Sequence, residues 1–212
     1  MKSPLLFEMR ERLIEAILPE VAFDGWSARS LRRAAQRCGI AAEEAFALFP
    51  DGAASLVAAF SLWADRRMEE RVRSFSREGL SPSRQVRDAV IKRFEILSPW
   101  REASRRAASV LAMPQNAPLA LRLLFATADA IWRSAGEGAT DFSFYTKRLT
   151  LAALYAAAFA YWCEDRSPDF ADTKAFLERR FIELGAIGAL RQRLGAAAER
   201  LPNPLRLFRP QL

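Results

Sequence analysis

GIAAEEAFALFPDG, residues 39–52, lies between two stretches that read as helix, and its own reading decides the fold. Upstream, FDGWSARSLRRAAQRCGI (23–40) favours helix turn after turn, with Ser27 placed as an N-cap and Gly39 as the break. Downstream, FPDGAASLVAAF (49–60) restarts a helix after a Pro-Asp-Gly turn. The spacing predicts helices over about 5–18, 28–37 and 42–48, the first ending at Pro19 or soon after. The third stands where a helix-turn-helix puts its DNA-reading helix. A reading helix offers donors to phosphates and base edges. This one offers Glu43 and Glu44, and segment 39–52 has no Ser, Thr, Lys, Arg, Asn or Gln. Carboxylates facing phosphates repel them, although at a helix start they suit the dipole. Arg29, Arg32, Arg33 and Arg37 recur at helical spacing, which fits either a phosphate-facing stripe or a solvated face.

The rest of the chain also reads as helix. Ala, Leu, Arg and Glu dominate, and no stretch sustains the alternation of a strand. Breakers divide further helices at about 53–77, 84–97, 101–112, 118–135, 141–163 and 168–184, then a last amphipathic segment at about 186–201. The expected class is all-α. One of the two longest uncharged runs, LTLAALYAAAFAYWC (149–163), is 15 residues long. That is short of the ~20 a spanning helix needs, so it is expected to be a central buried helix.

Composition narrows the chemistry. The chain has 212 residues, 51% of them hydrophobic, and a net charge of +7. That balance suits nucleic acid, anionic lipid or a soluble surface alike. There is no histidine, the commonest acid–base catalyst and metal ligand. Cys38 and Cys163 lack metal-site spacing. No metal site, no cofactor and no catalytic constellation are expected. The N-terminal MKSPLLFEMRERL meets charge by residue 8, without a signal-peptide core. The expected location is cytoplasmic or peripheral to a membrane.

The trihelix followed by a larger bundle resembles the tetracycline-repressor-type regulators. Phe23, Gly25, Leu31, Ala35, Gly39-Ile40, Phe46, Phe49-Pro50 and Leu56 fall where that family keeps its helix-turn-helix core. Its reading helix carries hydroxyls at the start, a Tyr before the last Phe, and a Lys shortly after. Here those places hold Ala41-Ala42, Phe46 and Asp51-Gly52. The resemblance implies a trihelix over 1–50, a ligand-binding and dimerisation bundle over 51–185, and an amphipathic segment and tail over 186–212.

The second half is more specific. The MPxNxP turn (Met113–Pro118), WRSAGEGATD (132–141), FYTKRLTLAALY (144–155) and SPDFADTKAFLERR (167–180) together resemble the lipid-binding accessory proteins of ubiquinone (coenzyme Q) biosynthesis. That resemblance covers about residues 10–200 and implies a repressor fold that has lost DNA binding, so DNA is not expected as a partner. It implies an isoprenoid quinone or phospholipid held in the bundle, membrane docking through the C-terminal helix, and presentation of quinone precursors to a pathway hydroxylase. Without a targeting segment the chain resembles a bacterial member. Homodimerisation is implied through the two helices at 141–184. The family's hydroxylase-binding surface maps onto Phe144 and Tyr145, with Ile131 and Trp132 extending it; many members have Trp at the position of Phe144. Phe142 is expected in the core and Asp141 as the N-cap of the following helix. A transcriptional regulator with an apolar effector pocket is the alternative reading.

The residues support parts of this on their own. Around 186–201, Ile187, Leu190, Leu194 and Leu201 form an apolar stripe flanked by Arg191 and Arg193. Residues 185–212 hold five arginines and one glutamate. An apolar stripe bordered by arginine suits a membrane interface, and equally a helix packed on its own bundle. Leu151, Leu154, Tyr155, Phe159 and Trp162 are the candidate lipid-lining residues, and fit a plain core as well.

Overall fold

The computed structural model describes residues 4–74, 79–136 and 143–184, with residues 4 and 143–145 described in backbone alone. Among the described residues every regular element is helical: α1 (Pro4–Asp24), α2 (Ala28–Cys38), α3 (Ala42–Leu48), α4 (Ala53–Arg73), α5 (Pro82–Leu97), α6 (Arg101–Leu111), α7 (Ala117–Ser134), α8 (Ser143–Glu164) and α9 (171–184). Single 3₁₀ turns at Ser98–Trp100, Pro114–Asn116 and Pro168–Phe170 lead into α6, α7 and α9. The all-α expectation is met.

Local chemistry sets the trihelix. The Ser27 side chain accepts from the Ser30 amide and starts α2. Gly39, at φ +67°, ends it in the left-handed conformation that glycine adopts freely, with amides 39 and 40 returning to Gln36 and Ala35. The first helix departs from expectation. It runs through Pro19 to Asp24, because Pro19 faces solvent while Leu13, Ile14, Ile17, Leu18 and Val21 form a buried stripe that holds the helix together. The longer helix carries Phe23 away from that stripe. Phe23 is 84% exposed, not in the helix-turn-helix core as expected.

α4 is the central pillar of the bundle, packing on α1, α5 and α7, while α7 packs on α8. One continuous core joins trihelix and bundle: Trp26 contacts Phe60 at 5.0 Å between ring centroids, and its indole donates to the Ala103 carbonyl at 3.0 Å. The expectation for α8 needs correction. It buries Leu151, Ala152, Leu154, Tyr155, Ala158 and Trp162, but exposes a stripe of Ala153, Ala156, Ala157 and Ala160. No single helix among the described residues is long and apolar enough to cross a membrane.

Candidate functional site

The cavity that draws most on the bundle lies between α4, α5, α6, α7 and α8, with a volume of about 320 Å³. Each helix turns its apolar stripe inward there, so the walls are Val57, Phe60, Leu97, Leu111, Leu124 and Phe159, with small Ala107, Ala108 and Ala120 between. The small residues leave the space that larger ones would fill. Ala112 and Ala156 are exposed and form its rim.

At the buried end the lining turns polar. Arg93 is 3% exposed and donates from Nε to Asp65 Oδ1 at 2.7 Å. Its Nη1 donates to the Tyr155 hydroxyl, and its Nη2 to the Ser61 carbonyl, the Ser61 hydroxyl and Thr127 Oγ1 at 3.3, 3.2 and 3.4 Å. Thr127 in turn donates to the Asp65 carboxylate. Buried charges persist only when paired and hydrogen-bonded. Burial works against the charge on Arg93, but Tyr155 and Asp65 outweigh it and lift its pKa above the ordinary value. Burial drives the Tyr155 phenol up to about 12 against the pull of Arg93, so it stays neutral. Cys163 is also driven up by burial, to about 11, and stays a thiol.

The structure divides the sequence-derived lipid residues. Tyr155 and Phe159 line the cavity. Trp162 does not: it is fully buried, stacked on Phe94 at 5.3 Å, with the Arg101 guanidinium over it at 4.7 Å. Leu151 is packed in the core, and Leu154 lines a separate groove between α8 and α9 with Phe176 and Leu184. The reason is angular: one helix shows a single cavity only part of its circumference. Sequence reasoning missed Ser61, Asp65, Arg93 and Thr127. The available signal was that Arg93 sits on the apolar stripe of Val86, Ala89, Val90, Phe94 and Leu97.

Of the partner residues, Ile131 is fully buried, because α7 packs that face on the bundle; it does not extend a surface patch. Trp132 is half-buried with the Lys147 ammonium 5.7 Å from its ring centroid. The side chains of Phe144 and Tyr145, with Asp141 and Phe142, lie outside the described residues. So do the membrane-binding candidates Ile187, Leu190, Arg191, Arg193, Leu194 and Leu201.

The arginines of α2 are accounted for. Arg33 pairs with Glu20 and Asp24, at 2.9 and 2.8 Å, Arg37 pairs with Glu20, and Arg29 reaches Asp24 at 3.7 Å. Arg32 lies over the Phe46 ring at 5.7 Å. Glu43 and Glu44 are exposed in the first turn of α3. Among the described residues no group of three or more Cys, Asp or Glu is placed to hold a metal ion.

A trihelix joined to a cavity-bearing bundle is the architecture of the TetR class of regulators. The crystal structure of a TetR transcriptional regulator from Nitrosomonas europaea superimposes with a TM-score of 0.66 over 83% of this chain and 97% of that one, at 19% identity. That likeness concerns the fold. The family is given by sequence: the COQ9 family model matches residues 117–188. COQ9-B of Xenopus laevis, a mitochondrial ubiquinone biosynthesis protein, is 31% identical over 91% of this chain and 68% of its own length. The human and bovine COQ9 proteins, similarly described, are 32% and 31% identical over 93% of this chain, which spans 64% of each. The chain belongs to the COQ9 family.

Proposed function

We propose that this chain is a non-catalytic, lipid-binding accessory factor in ubiquinone biosynthesis. It holds an isoprenoid quinone precursor in the bundle and presents it to a pathway hydroxylase at the membrane surface. The observation that carries the reading is the apolar cavity between α4 and α8, in a chain whose named relatives are ubiquinone biosynthesis proteins. The groups around it favour binding over turnover: its phenol is neutral, its one cation is spent on a carboxylate, and the chain has no histidine.

The regulator alternative is weakened by α2 and α3. Three of the four α2 guanidinium groups are paired with carboxylates of α1, and α3 turns acids outward, so little cationic surface remains for phosphate. The apolar, arginine-bordered segment 186–201 is the proposed membrane contact, which puts the protein at the cytoplasmic face of an inner membrane. Exposed Ala153, Ala157 and Ala160 of α8, with exposed Leu149 of α8 and Ile182 of α9, are the proposed dimer face. Trp132, Phe144 and Tyr145 are proposed to meet the hydroxylase.

The test is solvent extraction of the purified protein followed by mass spectrometry. The reading expects a prenylated or acylated lipid at about one per one or two chains. A folded, helical protein that yields an empty extract contradicts it.

A further inference from the structure

The polar end of the cavity is built, not incidental. Asp65, Arg93 and Thr127 are each nine-tenths or more buried and bind one another. An apolar core of equal volume would be no less stable, since a buried ion pair rarely gains more than its desolvation costs. Two hydroxyl-bearing residues belong both to this cluster and to the cavity wall. Ser61 and Tyr155 both line the cavity, and the hydroxyl of each accepts from Arg93. Each therefore still has its own proton to give. Among the described residues neither proton finds an acceptor, whereas the Thr127 proton is taken by Asp65. A hydroxyl that accepts from a guanidinium is polarised and becomes a better donor.

We infer that Tyr155 and Ser61 form a two-donor seat for an uncharged oxygen acceptor, a ring carbonyl or similar group, at the head of an otherwise apolar ligand. The inference rests on the carrier reading above and specifies which end of the ligand goes in first. Charge fixes the class. Arg93 is neutralised by Asp65 at 2.7 Å, so an entering carboxylate or phosphate meets no free cation and loses its hydration. A neutral acceptor loses little water and gains two donors. Size fixes the depth. About 320 Å³ is at the low end of small-molecule pockets, roughly 300–1,000 Å³, enough for a ring and the start of a tail. The remainder of a long tail leaves past Ala112 and Ala156.

The test uses three probes on the full-length protein stripped of lipid: 2-geranyl-1,4-benzoquinone, geranylbenzene and decanoate, titrated by calorimetry. The quinone is expected to bind roughly three- to tenfold more tightly than geranylbenzene, and decanoate more weakly than both. Tyr155→Phe removes the donor and keeps the ring; it is expected to abolish most of the quinone's advantage and leave geranylbenzene unchanged. Because that variant also removes an acceptor from Arg93, infrared spectroscopy of the wild type gives a second readout. One quinone carbonyl stretch is expected to move to lower frequency on binding. Equal binding of quinone and geranylbenzene with no carbonyl shift overturns the seat while leaving the cavity a lipid site. Tighter binding of decanoate overturns it in favour of an anion site. Failure of all three probes to bind removes the carrier reading and the seat with it.

Discussion

Asp165 shows how much a single side chain organises. One carboxylate oxygen accepts from the Ser167 amide and hydroxyl at 2.8 and 2.6 Å, the other from the Thr173 amide and hydroxyl at 2.8 and 2.5 Å. It ties the end of α8 to the first turn of α9 across Asp169 and Phe170, two non-glycine residues at positive φ. Burial alone would raise its pKa, but the bonds from Ser167 and Thr173 outweigh it and hold the carboxyl at about 2. A depressed folded value stabilises the fold above the unfolded pKa of about 3.9 and loses that contribution as pH falls through 2. Asp165→Asn is therefore expected to cost about 1–3 kcal/mol at pH 7 in urea unfolding. The gap from wild type should narrow between pH 4 and pH 2; a constant gap contradicts the assignment. Arg93 makes a second case. Arg93→Met strands Asp65 and is expected to cost about 3–5 kcal/mol, most of it recovered by adding Asp65→Leu. Additive losses in that double-mutant cycle would mean the two residues act separately. These residues were poorly legible in the sequence. Arg93 and Asp65 look like surface charges until the stripe each occupies is noticed, and their partners are 28 and 62 positions away.

At the scale of elements, local signals carried and distant ones did not. The Ser27 cap, the Gly39 break and the Pro-Asp-Gly turn set the limits of α2 and α3 because each acts within a few residues. Pro19 was a misleading stop, since a proline on the solvent face gives up one hydrogen bond while five buried neighbours hold the helix. The arginine run of α2 was open to two readings because its partners, Glu20 and Asp24, belong to α1. Helix α8 read as a central buried helix because alanine is apolar whether it faces core or solvent. Its exposed alanines allow close approach by another helix. Ala157→Glu on that stripe is expected to turn a dimer into a monomer in sedimentation, with helicity unchanged. A wild-type monomer at micromolar concentration would contradict the dimer face.

The whole molecule sets the fold of a TetR-type regulator beside a third helix whose first turn exposes Glu43 and Glu44. The same α4 that leaves the trihelix at Gly52 lines the cavity through Val57, Phe60 and Ser61, so fold and pocket share one element. Architecture and family were legible from helix spacing and motifs, whereas the cavity was not, because space arises from which small residues face one another across five helices. The central claim is that this space holds lipid. Its most direct test is to extract and quantify lipid from the wild type and from Ala108→Phe, which adds a ring to the cavity wall from α6 and keeps Arg93 and Tyr155 in the sequence. The account predicts near-stoichiometric lipid in the wild type and little in the variant, at equal helicity. Equal lipid in both, or none in either, would contradict it.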